Sequence, residues 1–580
     1  MRNSRSSRLL AAATAFAIAF PAAALAAPPA APSMEDALAA IRAYAPRALA
    51  EQGAPGMSVA ITDRTHTIAV LTFGYANVDA KTPVTETTRF PVGSISKSMT
   101  ALALLQDVDR GRVALDAPVT RYLPWFSIHG ATTPILVHQL LSHTAGTPDD
   151  YAAVAYGFDV ASLAQARVLF TPGTAWSYSN DGFGTVGAIV KLVEGRPWED
   201  AVSSEVFAPI GMTASSAVFT PQNMDDAAVG YIIRDLDRAT PPNPALIPAQ
   251  RFDFEDPAGS VISNPEDMAR YMRFFLNGGT TADGKRLISE KTFAAMTTPD
   301  RFSNGKTAGS AGVELAEWPD FYRQYGYGLS IFNTDGDHLI GHTGGISGYT
   351  ACMQMNLTRG FGAIAMSNLV EAPLHPCAIV RYAMTVLRAQ SIGATLPPAP
   401  APPANPADVT GAADYAGSYA GPGGRALAVT ANGSRLALAD RGRSYALVSR
   451  GEDSFWTDDP ALTLYEIEFE RDSSKKVVDF TNGSEFFAGA NYRGPTHWPH
   501  PASYDAYTGR YENTFFGEPS VTRVVVVKGD LTLDGDTPLV PKPDGSFGLG
   551  VSRIRFDTIA GGKAQRLWLD GVDLYRVDMP

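Results

Sequence analysis

Cysteine is scarce in this chain of 580 residues, which holds only Cys352 and Cys377. A scaffold built on many disulfides is therefore excluded, although the two can form one bond if they meet, which the sequence leaves open. No Cys/His cluster has the spacing of a zinc site, and no glycine-rich phosphate loop follows a predicted strand. We expect no metal and no cofactor, and chemistry that depends on ordinary side chains.

Basic residues are too few to balance the acidic ones, with 47 Lys and Arg against 59 Asp and Glu and a formal charge of −12. Long apolar runs are also absent beyond the N-terminus. There, Leu9 to Phe20 follow three arginines and precede the small residues Ala24 to Ala26, which is the pattern of a secretory signal. A membrane anchor is the alternative, but the run is short and alanine-rich for a bilayer span.

We therefore predict a signal peptide over residues 1–26, no membrane span after its cleavage, and a periplasmic or secreted mature protein. Cleavage removes three arginines and no acid, so the formal charge moves from −12 to −15. An acidic chain is a poor partner for nucleic acid or anionic lipid. The expected partner is a small-molecule or short-peptide substrate, and the oligomeric state stays open.

Strand-like runs lie near residues 57–75 and again near 325–366, with mostly helical patterns between them. This order predicts an α+β fold, in which an antiparallel sheet built from both ends of the segment is flanked by helices and a helical region. We assign residues 34–395 to this domain. A Pro/Ala-rich run then predicts a stiff linker over 396–409.

Beyond the linker the pattern changes to short strands separated by Gly, Asp and Asn turns. Two stretches begin alike, Tyr415 to Tyr419 and Tyr507 to Tyr511, each reading Tyr-x-Gly-x-Tyr. We predict two all-β units, barrels or sandwiches, over residues 410–494 and 500–580. The alternative is one continuous β-domain in which the short match is a coincidence.

The stretch from Phe90 to Leu105 combines a nucleophile with a base. Apolar residues recur at helical spacing, which places Ser94 at the first turn of a helix with Lys97 on the same face. A desolvated lysine amine can take the serine proton, and the helix N-terminus offers N–H groups to an oxyanion. Ser-x-x-Lys recurs at 303–306 and 473–476, but in polar turns. For an isolated match, the alternative is that Ser94 only caps the helix.

A second proton carrier is predicted at Tyr178-Ser179-Asn180, between a Pro/Gly loop and a helix. Tyr178 beside cationic groups could ionise and move a proton, and Asn180 could donate a hydrogen bond to a substrate amide carbonyl. Tyr-x-Asn also begins at Tyr75 and Tyr511. A turn tyrosine whose hydroxyl is hydrogen-bonded is therefore the alternative.

A third motif, His342-Thr343-Gly344-Gly345, follows a strand-like run, and His-x-Gly occurs nowhere else in the chain. Its glycines let a substrate backbone lie close to the strand edge. The N–H of Gly345 is a candidate second oxyanion donor beside that of Ser94. A purely structural role of His342 is the alternative.

Ser-x-x-Lys, Tyr-x-Asn and His-Thr-Gly in this order resemble the signature of the penicillin-recognising serine hydrolases. The chain is similar to the class C β-lactamase and D,D-peptidase branch, often called the S12 peptidases, over roughly residues 34–390. Four further phrases look like that family: Leu140–Gly146, Thr171–Thr174, Pro257–Val261 and Tyr325–Gly328.

The resemblance implies a role for each candidate residue. Ser94 would be the nucleophile, Lys97 its base partner, Tyr178 the proton shuttle, Asn180 the amide-carbonyl contact and His342 the residue that flanks the site from the strand. His143 is a rival for the last role, but its run is His-x-x-Gly and precedes Tyr178. That segment is structural in the family.

Two departures from the family pattern bear on the substrate. Efficient class C β-lactamases have Lys-Thr-Gly where this chain has His342, whereas the D,D-peptidases and D-aminopeptidases of the family use histidine. Dedicated β-lactamases also lack C-terminal β-domains, whereas D-aminopeptidase-like members carry two, described as lipocalin-like barrels. Both departures favour a peptidase or esterase, and a loop of the second β-unit, Tyr507 to Pro580, could narrow the cleft.

The sequence and the resemblance thus predict an exported serine hydrolase that forms an acyl-enzyme on amide or ester bonds, with D-amino-acid peptides or small esters as the expected substrates. A D,D-carboxypeptidase or weak β-lactamase is the alternative enzyme. A penicillin-binding sensor that is acylated without turning over is the alternative from another class. A binding protein without catalysis is disfavoured by the complete set of motifs.

Overall fold

The computed structural model describes residues 31–148, 156–235, 237–251, 253–309, 322–370, 376–515, 518–549, 552–569 and 572–578. The predicted signal peptide, residues 1–26, lies outside the described residues. Within them, no helix has both the length and the apolar character that a membrane crossing requires.

The N-terminal domain is organised around an antiparallel sheet. Its strands are β1 (Gly56–Asp63), β2 (Thr67–Asn77), β3 (Thr82–Pro83), β8 (Ser330–Thr334), β9 (Asp337–Ile346), β10 (Tyr349–Asn356) and β11 (Phe361–Ser367). Short pairs outside it are β4 (Phe90–Pro91) with β7 (Ile262–Ser263) and β5 (Tyr231–Ile233) with β6 (Leu246–Pro248).

The order of the seven strands is β3-β2-β1-β11-β10-β9-β8, so the sheet is built from both ends of the domain. Strand β1 pairs with β11 from Met57 opposite Ser367 to Asp63 opposite Phe361. The predicted fold class, an antiparallel sheet with helices and a helical region, is confirmed.

The domain has eleven helices among the residues that the structure describes, and α2 to α10 lie between the early and late strands in sequence. They are α1 (Met34–Gln52), α2 (Ser96–Asp109), α3 (Val137–Leu141), α4 (Tyr156–Ser162), α5 (Asn180–Glu194), α6 (Trp198–Val202), α7 (Ala208–Ile210), α8 (Pro221–Asp225), α9 (Pro265–Leu276), α10 (Glu290–Thr297) and α11 (Cys377–Ser391).

The two faces of the sheet bury separate cores. On one face α1 and α11 pack on the sheet, with Tyr44 and Tyr382 edge to face at 4.9 Å between ring centroids. A capping box starts α1, since the Ser33 side chain and the Asp36 side chain each accept a hydrogen bond from the other's backbone N–H. On the other face α9 and the helical region cover the sheet and enclose α2.

Strand β9 differs from the sequence expectation. The sequence predicts that the strand ends before His342, whereas the structure continues it through Gly344 and Gly345 to Ile346. Glycines lower strand propensity, which is why the pattern did not predict this half of the strand. The whole third motif therefore lies on an ordered strand.

The two cysteines form a disulfide that joins β10 to α11. Cys352 and Cys377 are both buried, with Cα atoms 5.2 Å apart and 25 positions between them in sequence. Cys352 lies opposite Thr343 in the β9–β10 ladder. The bond therefore fixes the C-terminal helix to the strand beside the candidate site.

Removal of this disulfide is expected to destabilise the N-terminal domain. Closing a loop of 25 residues reduces the entropy of the unfolded chain, so the Cys352→Ala/Cys377→Ala variant should lose about 3 kcal/mol of unfolding free energy. Denaturant titration of the wild type and of the variant measures this loss. Addition of reductant to the variant is the control, and a loss below about 1 kcal/mol contradicts the prediction.

The first C-terminal unit is a closed barrel of eight strands, which agrees with the predicted barrel class. Its strands are β12 (Gly417–Ala420), β13 (Ala426–Asn432), β14 (Arg435–Asp440), β15 (Arg443–Ser449), β16 (Ser454–Thr457), β17 (Ile467–Arg471), β18 (Val477–Asn482) and β19 (Glu485–Gly489). Phe455, Phe469 and Phe480 pack against one another inside it, so aromatic side chains form its core.

The second unit is a nine-stranded sheet that follows helix α12 (Ala502–Tyr507). Its strands are β20 (Gly509–Phe515), β21 (Glu518–Val527), β22 (Asp530–Leu533), β23 (Thr537–Pro538), β24 (Val540–Pro541), β25 (Phe547–Leu549), β26 (Ser552–Ala560), β27 (Lys563–Leu569) and β28 (Val572–Arg576). The two Tyr-x-Gly-x-Tyr stretches adopt the same local structure. In each, the second tyrosine, Tyr419 or Tyr511, donates its hydroxyl to the carbonyl four residues earlier, at 2.7 Å.

Both β-units contact the tip of the β5–β6 hairpin of the N-terminal domain. Trp456 donates Nε1–H to the Ala239 carbonyl at 3.2 Å, and the Ala239 N–H donates to the Thr463 carbonyl at 3.2 Å. Arg523 of the second unit forms an ion pair with Asp237 at 3.6 Å. The hairpin is thus a joint between the domain and its C-terminal units.

Candidate active site

Ser94 lies in a single 3₁₀ turn, Gly93–Ile95, directly before helix α2. The sequence predicts that Ser94 opens the α-helix, and the structure moves it one short turn ahead. The cause is Gly93, whose φ of +53° favours glycine and breaks the helical path. Ser94 remains partly exposed on this turn, whereas Lys97 on α2 is fully buried.

Lys97 reaches Ser94 from inside the domain. Its Nζ lies 3.1 Å from Ser94 Oγ, 2.5 Å from Asn180 Oδ1 and 2.9 Å from the Ala258 carbonyl oxygen. The last two oxygens can only accept, so they take two of the amine's protons. Nζ is thereby held within hydrogen-bonding distance of Ser94 Oγ, from which a neutral amine can take the hydroxyl proton.

Tyr178 and Asn180 meet the lysine from the start of α5. Asn180 is the first residue of that helix, and Ser179 caps it by accepting the Gly182 N–H at 2.9 Å. The Tyr178 ring centroid lies 4.7 Å from Lys97 Nζ, within cation–π distance. The structure therefore brings together four of the predicted residues, namely Ser94, Lys97, Tyr178 and Asn180.

Strand β9 passes the Ser94 turn at close range because both segments have glycine at the contact. A Cβ added to Gly344 would lie 1.9 Å from the Val92 carbonyl oxygen, and one added to Gly93 would lie 2.7 Å from the Gly345 nitrogen. Any side chain at Gly344 would push strand β9 away from the Ser94 turn. The close approach thereby holds the predicted oxyanion donors, the N–H groups of Ser94 and Gly345, on neighbouring segments.

His342 is buried on β9 and is uncharged. Its Nδ1–H donates to the Thr343 carbonyl at 2.5 Å, so Nε2 carries a lone pair and accepts the Tyr325 hydroxyl at 2.8 Å. Burial lowers the pKa of His342 to about 3. His342 was predicted to flank the catalytic site from the strand. In the structure this histidine supplies no fixed positive charge.

Acidification is expected to destabilise the protein through His342. Its folded-state pKa lies below its ordinary value of 6.5, so the unfolded chain takes up the proton first as the pH falls. The contribution of His342 to the free energy of unfolding is therefore complete above pH 6.5. Below pH 6.5 this contribution decreases by about 1.4 kcal/mol per pH unit.

Thermal midpoints at pH 7 and pH 5 test this for the wild type and for His342→Gln. The glutamine variant, which has no titrating group at this position, should lose less stability on acidification. Parallel pH dependence of the two proteins would contradict the assignment.

An aromatic group surrounds the candidate site. Tyr322 bonds to the Thr343 hydroxyl at 2.9 Å and lies 5.8 Å from Trp176 and 5.7 Å from Tyr178 between ring centroids. Tyr322 and Trp176 are not among the predicted site residues. No periodic pattern marks them, although Trp176 directly precedes the Tyr-x-Asn motif and Tyr322 precedes the Tyr325–Gly328 phrase.

Two other site contacts come from residues for which no role in the site was predicted. The Ala258 carbonyl, which holds Lys97, belongs to the Pro257–Val261 phrase, and Tyr325, which holds His342, begins Tyr325–Gly328. The rival Ser-x-x-Lys pairs lie elsewhere, because residues 303–306 and 473–476 are exposed turns. Among the residues that the structure describes, no group of three His, Cys, Asp or Glu side chains could hold a metal ion.

The profile of the family described as Beta-lactamase matches residues 39–380. The chain belongs to the Beta-lactamase family. This confirms the resemblance drawn from the three motifs, all of which lie within the matched residues.

Several relatives of this Beta-lactamase family member carry penicillin-binding names. Penicillin-binding protein 4* of Bacillus subtilis (strain 168) is 26% identical over 437 residues, which cover 71% of this chain and 90% of the relative. Penicillin-binding protein 4 of Amycolatopsis lactamdurans is 28% identical over 349 residues, or 59% of this chain and 87% of the relative. The solved octameric penicillin-binding protein homologue from Pyrococcus abyssi has a TM-score of 0.53 at 23% identity, covering 78% and 99%, and shows the shared fold.

Proposed function

We propose that the protein is an exported serine hydrolase that forms an acyl-enzyme through Ser94 on D-aminoacyl amides, short D-peptides or small esters. The observation that carries the proposal is the position of Lys97 Nζ, between Ser94 Oγ and two carbonyl oxygens. Such a buried amine, oriented by acceptors, is what a serine needs as a base.

Acylation begins with attack of Ser94 Oγ on the substrate carbonyl carbon. The hydroxyl proton passes to Lys97 Nζ, and the carbonyl oxygen becomes an oxyanion that accepts from the N–H groups of Ser94 and Gly345. The tetrahedral species collapses as the C–N or C–O bond breaks. Tyr178, whose ring lies beside Lys97, relays the proton to the leaving amine or alcohol.

Deacylation reverses these roles with water as the nucleophile. Water attacks the acyl carbon, its proton passes to the Lys97–Tyr178 pair, and Ser94 Oγ leaves and recovers a proton. Asn180 orients the substrate during both steps. Its Oδ1 is turned to Lys97, which directs its amide N–H group away from the lysine, as a contact to a substrate carbonyl requires.

The preference for neutral or amine-bearing substrates rests on charge. His342 is uncharged and buried, so this position offers no fixed cation to a substrate carboxylate. Tyr178, Trp176 and Tyr322 present aromatic surface near the site, which favours apolar acyl groups and ammonium groups. Both features favour a D-aminopeptidase, amidase or esterase over an efficient β-lactamase.

A second candidate function is supported by the names of the relatives, two of which are penicillin-binding proteins. In that case Ser94 is acylated by penicillins and released slowly, as in a weak D,D-carboxypeptidase or a sensor. Export is proposed from the signal pattern at residues 1–26 and is consistent with a disulfide between Cys352 and Cys377, which an oxidising compartment favours.

The deciding experiment is a panel of D- and L-aminoacyl p-nitroanilides, short p-nitrophenyl esters and a chromogenic cephalosporin. We expect turnover of D-anilides or esters, with the cephalosporin acylating Ser94 and deacylating slowly. Rapid turnover of the cephalosporin alone would favour a β-lactamase. Acylation by every substrate without release would favour the sensor. N-terminal sequencing of the mature protein, with Ala27 expected near its start, tests export.

A further inference from the structure

His143 is a buried residue to which no catalytic role was assigned above, and its backbone conformation is unfavourable for a residue with a side chain. Its φ is +59°, in the left-handed region, which costs a residue with a side chain about 1–2 kcal/mol. Its ring Nε2 is buried and makes no hydrogen bond to any residue in the part of the chain that the structure describes. Strain of this kind, kept in a core, is typical of residues that serve a site.

The contacts of His143 converge on Tyr178 from three sides. The Ser177 N–H donates to the His143 carbonyl at 3.0 Å, and the Ser179 N–H donates to His143 Nδ1 at 3.1 Å. The backbone N–H groups of the residues before and after Tyr178 are therefore both bound by one residue. The imidazole ring also packs on the phenol ring, with centroids 4.3 Å apart and planes 33° apart.

These bonds determine the form of the imidazole. Because Nδ1 accepts a backbone N–H, the ring proton must be on Nε2, and the ring is neutral. Burial, together with nearby Lys97 and His342, lowers the pKa of His143 well below its ordinary value. A cationic ring here would lose the Nδ1 acceptor and repel the lysine. The neutral ring therefore suits an acceptor and a packing surface, and does not suit a general acid.

The geometry points to His143 as a positioning residue for Tyr178, which sets the place of the phenol beside Lys97 and so governs proton transfer. This inference rests on the proposed function. The left-handed backbone is what lets one residue present its carbonyl to Ser177 and its ring nitrogen to Ser179. Phe183 and Tyr325 pack on the same imidazole, at 5.3 and 4.8 Å between ring centroids, and hold the ring in place.

Two substitutions at this position separate the acceptor from the other properties of histidine. In His143→Asn, Oδ1 takes the place of Nδ1, and asparagine tolerates a positive φ. His143→Gly also tolerates that φ and also lacks the ring, but it offers no side-chain acceptor. The pair therefore differs mainly in the bond to the Ser179 N–H.

The measurement is kcat and KM on the best substrate of the panel, with thermal midpoints and the rate and endpoint of Ser94 labelling by a fluorophosphonate. We expect His143→Asn to keep kcat within about tenfold of the wild type and His143→Gly to lose about 100-fold or more, because misplacement by about 1 Å costs that much. KM should change little in both, and labelling of Ser94 should be slower in the glycine variant but reach completion.

His338→Asn is the matched control, since that ring bonds to Asn333 and to the Thr297 carbonyl, and it should behave as the wild type. If the glycine variant does not fold, His143→Ala replaces it. Equal kcat in the two His143 variants, or losses confined to KM, would overturn the positioning role. A wild type that neither turns over substrate nor labels at Ser94 would instead overturn the proposed function.

Discussion

Replacement of Ser94 by alanine is expected to lower kcat by about a thousandfold or more on every ester and amide that the protein hydrolyses. In the proposed mechanism this hydroxyl bonds to the acyl carbon after Lys97 Nζ, which lies 3.1 Å away, takes its proton. The measurement is steady-state hydrolysis of the best panel substrate by wild type and variant, at matched thermal stability.

The matched control is Ser303→Ala, which changes the serine of an exposed Ser-x-x-Lys pair and should leave kcat unchanged. Mass spectrometry after a fluorophosphonate or β-lactam probe should place the adduct on the peptide that contains Ser94. An adduct on Ser303 or Ser473, or activity that survives in Ser94→Ala, would contradict the proposed mechanism.

Replacement of Lys97 by methionine should lower kcat by about 10³-fold while leaving the fold intact. Methionine has a similar length and apolar stem, but it removes the base and leaves Asn180 Oδ1 and the Ala258 carbonyl without their donor. The loss of these two hydrogen bonds should also lower the free energy of unfolding, by about 1–3 kcal/mol each. Kinetics and thermal midpoints measured together separate the two effects.

Lys306→Met, in the exposed pair, is the control for the lysine substitution. The double variant Ser94→Ala/Lys97→Met should be no slower than Ser94→Ala alone, because residues that act as a unit are not additive. Additive losses, or a kcat within tenfold of the wild type in Lys97→Met, would show that another group removes the serine proton.

The fold was predictable because its signals are local and repeated. Runs rich in β-branched and aromatic residues near 57–75 and 325–366, with helical patterns between them, are sufficient to predict a sheet built from both ends. The second half of β9 was not predictable in this way, since Gly344 and Gly345 have low strand propensity. Their place in the strand depends on the close approach of the Ser94 turn.

The candidate site was predictable only where a motif carries the chemistry itself. Ser94, Lys97, Tyr178 and Asn180 stand in such motifs, and the structure brings them together. The part of His143 was not predictable, because it depends on a left-handed backbone and on bonds to residues more than thirty positions away. The Ala258 carbonyl was hidden for a similar reason, since any residue has a carbonyl and only the fold decides where it points.

The sheet that joins the two ends of the domain also fixes when the site can exist during synthesis. Ser94 leaves the ribosome 251 residues before Gly345, an interval of about 10–50 s at the usual rate of translation. Throughout that time β1 has no β11 to pair with, and Ser94, the proposed nucleophile, has no second oxyanion donor. The proposed site is therefore incomplete until strands β8 to β11 join the sheet that β1 and β2 begin.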